Sequence, residues 1–165
     1  MDNVNYQKYE KKENQEKYKQ RVDEQRDRAV ENFKKLQEEV TNDITMIEKD
    51  NLVKETNSNI SIYQKYVTKM AEEKLLLSTL NSKLEVMEAE LADYYRFHWD
   101  KSTKLTESAI SKYVQAHPMY NSLNTYTEVV KVVIGYLDNV VQTFNSRNFA
   151  IKNIIEIRKI ELGLV

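Results

Sequence analysis

Cysteine is absent from the 165 residues, so a disulfide scaffold and a cysteine-based zinc site are both excluded. A chain without cysteine is compatible with a reducing, intracellular compartment. Glycine occurs twice and proline once. That is too little for a turn-rich β fold, and it leaves no room for a Walker loop or a dinucleotide loop. So few breakers predict long, lightly interrupted helices. No apolar run approaches the roughly 20 residues that span a bilayer, so no membrane partner is expected. The opening MDNVNYQKYEKKE lacks the apolar centre of a signal peptide.

The signatures of catalysis are missing as well. Tyr95 stands three residues before His98 and Val114 three before His117, so no Glu-x-x-His pair exists to build a di-metal bundle. His98 and Asp100 read as a surface histidine beside a carboxylate. No nucleophile motif surrounds any serine. Neither a catalytic residue, a metal ligand nor a cofactor is expected, and the chain does not read as an enzyme.

Charged residues make up 31% of the chain, and the net charge is −1. The distribution is uneven. Residues 1–40 balance ten basic against ten acidic side chains, residues 41–100 carry −4, and residues 101–165 carry +3. The basic surplus thus falls in the most apolar part. A near-neutral chain is not an obvious nucleic-acid binder, but an assembly of copies can gather its positive portions on one surface.

One domain is the default at this length. Residues 1–35 form a charged, low-complexity arm, partly disordered or helical, with a solvated helix expected that is frayed or disordered before about Val22. Apolar side chains are sparse before Val22, then thicken through Ala29, Phe33, Leu36 and Val40. Leu36, Val40, Ile44 and Ile47 share a face and predict a short helix, with Asp50 or Asn51 capping the next. Tyr63, Met70, Leu77, Leu84 and Leu91 then recur every seven residues, and Tyr66, Glu73, Leu80, Met87 and Tyr94 follow three after each. All but Glu73 are apolar or aromatic, the pattern of a heptad seam. A short helix is expected over Lys104 to Ala116, and Pro118 suits the first turn of another. That helix repeats the seam with Leu123, Val130, Leu137 and Phe144, joined by Tyr126, Val133 and Val140. Gly135 falls in its middle and points to a close helix crossing or a bend.

Two stretches carry functional interest. In YYRFHWDKSTK, Tyr94, Tyr95, Phe97 and Trp99 interleave with Arg96, His98, Lys101 and Lys104. Two readings fit it. The rings can plug the end of a helical seam, or they can stack bases while the cations follow phosphates. The second stretch runs from Ser146 to Gly163, with Asn145 or Ser146 as the expected helix cap. On a helical wheel Lys152, Glu156 and Lys159 fill one narrow arc, while Phe149, Ile151, Ile154, Ile155, Ile157 and Ile160 spread over most of the rest. A surface helix shows a narrower apolar stripe, so either this helix is central to its own fold, as in a monomeric bundle, or sister copies of the chain cover it; its terminal position favours the second. Arg158 falls inside the apolar arc and needs a partner there.

LQEE at Leu36, LADYY at Leu91 to Tyr95 and SRNFAIKNIIEIRK at Ser146 to Lys159 resemble the UvsY family of phage recombination mediators. That family's terminal signature is close to Ser-Arg-Gly/Ser-Phe-Ala/Asp-Ile-Lys. The resemblance spans Leu36 to Gly163 and leaves the arm outside. It implies an all-α fold, with long helices in an antiparallel arrangement that assembles into a ring-like homo-oligomer. It implies no enzymatic activity. It implies binding of single-stranded DNA, displacement of single-strand-binding protein and loading of a RecA-type recombinase, in the cytoplasm of the infected bacterial host. Residues 36–165 would be the mediator domain, with 146–162 as its oligomerisation helix. Phe149, Ile151, Ile154, Ile155 and Arg158 would be assembly residues, joined by Ile157 on the same apolar face. The family carries basic residues just before the YY pair, where this chain has Glu85, Glu88 and Glu90. The expected DNA contact therefore moves to Arg96, Lys101, Lys104, Arg147 and Lys152, with the rings of Tyr95, Phe97 and Trp99. The alternative is a coiled-coil structural or adaptor protein that binds no nucleic acid.

Overall fold

The computed structural model describes residues 6–99 and 104–164. Among them every regular element is helical. A single turn, α1 (Gln7–Glu10), precedes α2 (Lys12–Asp43). A 3₁₀ turn at Lys49–Asn51 leads into α3 (Leu52–Asp93), which loosens into a π-helical turn at Tyr94–His98. Two further helices follow, α4 (Glu107–Ala116) and α5 (Pro118–Glu161).

Local chemistry sets most of these ends. The Asn51 side chain accepts from the Lys54 amide at 3.2 Å, and the Thr106 hydroxyl accepts from the Ala109 amide at 3.3 Å. Each satisfies an amide that the first helical turn leaves without a carbonyl. Pro118 opens α5, where its fixed φ is already helical and its missing N–H costs nothing. At the far end Gly163 adopts φ +66°, the left-handed geometry that glycine enters without strain. The Leu164 amide donates to the Lys159 carbonyl at 2.9 Å and the Gly163 amide to that of Ile160 at 3.0 Å, a Schellman closure.

Three expectations change. The helix from the arm reaches back to Lys12, ten residues before Val22, supported by exposed pairs such as Glu13 with Lys17 at 2.6 Å. At its other end it stops at Asp43, so Ile44 lies beyond it and is half exposed. Third, α5 runs unbroken through Asn145 and Ser146. Those residues are good caps only where the chain must leave a helix. Here Val140, Phe144 and Ile151, all buried, continue one face at helical spacing and hold the ladder together.

The chain forms two compact units, Met1–Glu31 with Leu75–Lys131, and Asn32–Lys74 with Val132–Val165. In the first, Val22 of α2, Leu80, Leu84, Met87 and Leu91 of α3, Ile110 and Val114 of α4, and Leu123, Tyr126 and Val130 of α5 are buried. In the second, Leu36, Val40, Tyr66, Val133, Leu137, Val140 and Phe144 form one cluster. Full burial of such a side chain contributes about 1.5–3 kcal/mol. The Tyr66 ring stacks on Phe144 at 5.6 Å, and its hydroxyl donates to Asp43 Oδ2 at 2.7 Å, the oxygen that also receives Lys65. Lys65 and Lys69 also hold Glu39, so within this unit α2 and α3 run in opposite directions. Asn59 donates to the Phe144 carbonyl at 3.1 Å and Glu55, one turn earlier, accepts from Arg147, three residues later, so α3 and α5 run in opposite directions as well. Gly135 is exposed, and a Cβ there would meet nothing within 4 Å. It marks no close crossing.

Candidate nucleic-acid interface

The π-helical turn is where α3 stops being regular. The Trp99 amide reaches back five residues to the Tyr94 carbonyl at 2.9 Å, and the widened turn lets two consecutive residues, Tyr94 and Tyr95, both point inward. Such bulges often occur at functional sites. Around them lies an aromatic cluster. Tyr94 and Tyr95 meet at 5.1 Å, Tyr95 meets Trp99 and Tyr113 at 5.4 Å each, and Tyr9 approaches Tyr94 at 6.3 Å. Tyr6 stacks on His98 at 4.3 Å. Such ring pairs add about 0.5–1.5 kcal/mol each beyond area burial. Burial pushes the Tyr95 hydroxyl up to about 12.

In YYRFHWDKSTK the structure separates packed rings from open ones. Tyr94 and Tyr95 plug the unit. Tyr95 has its ring inside the cluster, which leaves no open face for a base. Phe97 and Trp99 remain 67% and 41% exposed. Arg96 is committed to carboxylates, with Nε and Nη2 donating to Glu107 at 3.2 and 2.8 Å and Nη1 to Asp93 at 3.1 Å. Lys104 is exposed. Lys101 and Asp100 lie outside the described residues.

The terminal signature belongs to the second unit. Arg147 donates to Glu55 at 2.6 Å and to the Thr45 carbonyl. Both side chains of that ion pair are largely buried, so Arg147 secures α5 to the start of α3 and is not free to meet a phosphate. Lys152 is exposed, its ammonium 5.7 Å from the Phe149 ring centre. Ile151 is fully buried in the chain's own core, Ile154 and Ile155 are half-buried, and Phe149, Ile157 and Ile160 are each more than half exposed. Arg158 pairs with Asp50 at 3.3 Å and keeps a solvent-exposed flank, so its partner is internal.

Sequence reasoning missed the part played by the arm. Tyr6, Tyr9 and Lys8 join the aromatic cluster and Glu90, with the Lys8 ammonium 2.7 Å from Glu90 Oε2 and the Tyr9 hydroxyl donating to the same oxygen. The signal was present. Tyr6 and Tyr9 are large rings three apart in an otherwise polar stretch, the spacing of one helical face.

A family model described as recombination, repair and ssDNA binding protein UvsY matches residues 36–164. No curated protein matches the chain. Among solved structures, the crystal structure of the bacteriophage T4 recombination mediator protein UvsY shares the fold. Its TM-score is 0.67 at 23% identity, covering 78% of this chain and 97% of that one.

Proposed function

Because the chain belongs to the UvsY family of recombination, repair and single-stranded-DNA-binding proteins, we propose that it is a non-catalytic phage recombination mediator. In this reading it binds single-stranded DNA as a homo-oligomer, displaces single-strand-binding protein and helps load a RecA-type recombinase, in the cytoplasm of the infected bacterial host. The observation that carries the reading is the match from residue 36 to residue 164, which includes the terminal signature. Two features of the surface support it. Phe97 and Trp99 stand exposed in the unit that holds Lys104, so bases have rings to stack on and phosphates a cation to meet. Phe149, Ile157 and Ile160 leave α5 with an apolar strip that the chain itself does not cover. A homo-oligomer would bury that strip and multiply the DNA-binding edges, so weak single contacts add up to firm binding.

Light scattering of the purified chain, with and without oligo-dT at two salt concentrations, tests the proposal. A homo-oligomer whose DNA affinity falls steeply with salt is expected, since phosphate contacts release counterions. A monomer indifferent to oligo-dT would overturn it and favour an adaptor protein.

A further inference from the structure

Within the first unit, α1, the amino-terminal part of α2, the Ser78–Glu90 stretch of α3 and the start of α5 line an open cavity of about 840 Å³. That is in the size range of sites that take small organic ligands, roughly 300–1,000 Å³. Its base is apolar, with Val22, Leu80, Met87, Met119 and Leu123 buried, and the exposed Val86 is part of its lining. The Tyr18 ring stands on one wall, and Asn14 and Gln25 offer amide donors and acceptors.

The charges around it are arranged for an anion. Glu90 is the carboxylate in the lining, and it is ion-paired with Lys8 and accepts from the Tyr9 hydroxyl. Arg21 from α2 and Lys83 from α3 face the same space, both exposed, and neither forms an ion pair among the described residues. The occupant that fits is therefore anionic, with a flat apolar portion and hydrogen-bonding edges.

We infer that this cavity seats an unpaired nucleotide of single-stranded DNA, its base against Tyr18 and Val86 and its flanking phosphates at Arg21 and Lys83. The inference rests on the mediator reading and gives it a location. A duplex keeps its bases stacked and paired inside, so it cannot place one between two helices. Tyr9 lines the cavity and touches Tyr94, which in turn touches Trp99 at 6.1 Å. The exposed Trp99 edge and the cavity thus belong to the same unit. The α2 wall lies before residue 36, outside the span that the family model matches. The seat is thus a feature that the arm adds.

The test replaces both free cations, Arg21→Gln with Lys83→Gln, in the full chain. Both are on the surface, so the unfolding midpoint should hold. Affinity for oligo-dT should fall about tenfold or more, and the slope of log affinity against log salt should shrink by about 1.4, two phosphates at about 0.7 each. A strand carrying 5-iodouracil should crosslink to peptides from residues 14–25 or 78–90 of the wild-type chain. If the wild type binds oligo-dT while the double variant matches it and crosslinks fall elsewhere, the seat is wrong and the mediator reading survives. An equal loss on duplex DNA of the same length would show long-range attraction only and would also sink the seat. No binding of oligo-dT by the wild type removes both.

Discussion

Arg147 and Glu55 lie 2.6 Å apart, 92 residues distant in the chain, and both side chains are largely buried. The arginine of the terminal signature is therefore a fastener between α5 and the start of α3. Removing one partner leaves the other charge buried and unmet, which costs about 3–5 kcal/mol. Glu55→Gln is expected to lower stability by that order, read as a shift in the urea midpoint at fixed protein concentration. Replacing both residues with apolar ones of similar size should recover most of the loss. A Glu55→Gln chain as stable as the wild type would show that the pair contributes little.

Gly135 illustrates the opposite case. It occupies the middle of α5 with open space where a side chain would go. Glycine in a helix interior costs about 0.5–1 kcal/mol relative to alanine. Gly135→Ala should therefore raise stability by about that amount, seen as a higher midpoint with an unchanged urea slope. A loss would mean that another molecule packs there.

Much of the fold could be read from residue order because apolar spacing is a strong signal. Leu123, Tyr126, Val130, Val133, Leu137, Val140 and Phe144 stand out by spacing alone, and all seven are buried. The single proline marked the start of α5 for a stereochemical reason that no partner can override. The misjudged places are those where local chemistry is permissive. Asn145 and Ser146 can cap a helix or continue one, and the surfaces packed beyond them decide. The candidate site was harder to read. Arg96 and Arg147 look available as cations, yet carboxylates 11 and 92 residues away hold them, besides Asp93 one helical turn before Arg96, which spacing does reveal. No spacing rule reveals a partner so remote.

His117 gives the fold a pH dependence. It is buried, its Nδ1 accepts from the Met119 amide at 3.3 Å, and its Nε2 has no hydrogen-bond partner among the described residues. Burial holds the imidazole below its ordinary 6.5, opposed in part by the Tyr9 backbone. The unfolded chain then takes up a proton that the folded chain resists. Stability is complete above about 6.5 and declines as pH falls through that value toward the folded one. Other groups act lower. Glu39 is held down by Lys65 and Lys69, Asp43 by Lys65 and Tyr66 despite its burial, and Glu90 by Lys8 and Tyr9 despite its own. Their contributions are lost only as pH falls below about 4.5. Urea unfolding between pH 7.5 and 5.5 should show the first decline, and His117→Asn, which can still cap α5, should flatten it. An unchanged slope in that variant would assign the dependence elsewhere.

Trp99, the chain's one tryptophan, reports on the exposed aromatic edge. Oligo-dT should change its emission as bases stack. Trp99→Ala should weaken DNA binding about fivefold to a hundredfold, the value of one stacked base. Tyr94 and Tyr95 stay packed with the rest of the cluster, so assembly should persist. If the variant binds as well as the wild type, the edge serves only to close the unit.

The apolar strip on α5 makes the assembly proposal separable from stability. Ile151 sits in the core, and a charge there would damage the fold itself. Ile157 and Ile160 are 55% and 68% exposed, so an aspartate at either disturbs little inside one chain. In a subunit interface the same carboxylate would be buried without a partner, at a cost of several kcal/mol. Ile157→Asp is therefore expected to sediment as a smaller species with unaltered helical content, and to bind oligo-dT more weakly because fewer DNA-binding edges act together. A variant that assembles like the wild type would move the interface away from this strip. One that simply unfolds would show that Ile157 is more deeply packed than its exposure allows.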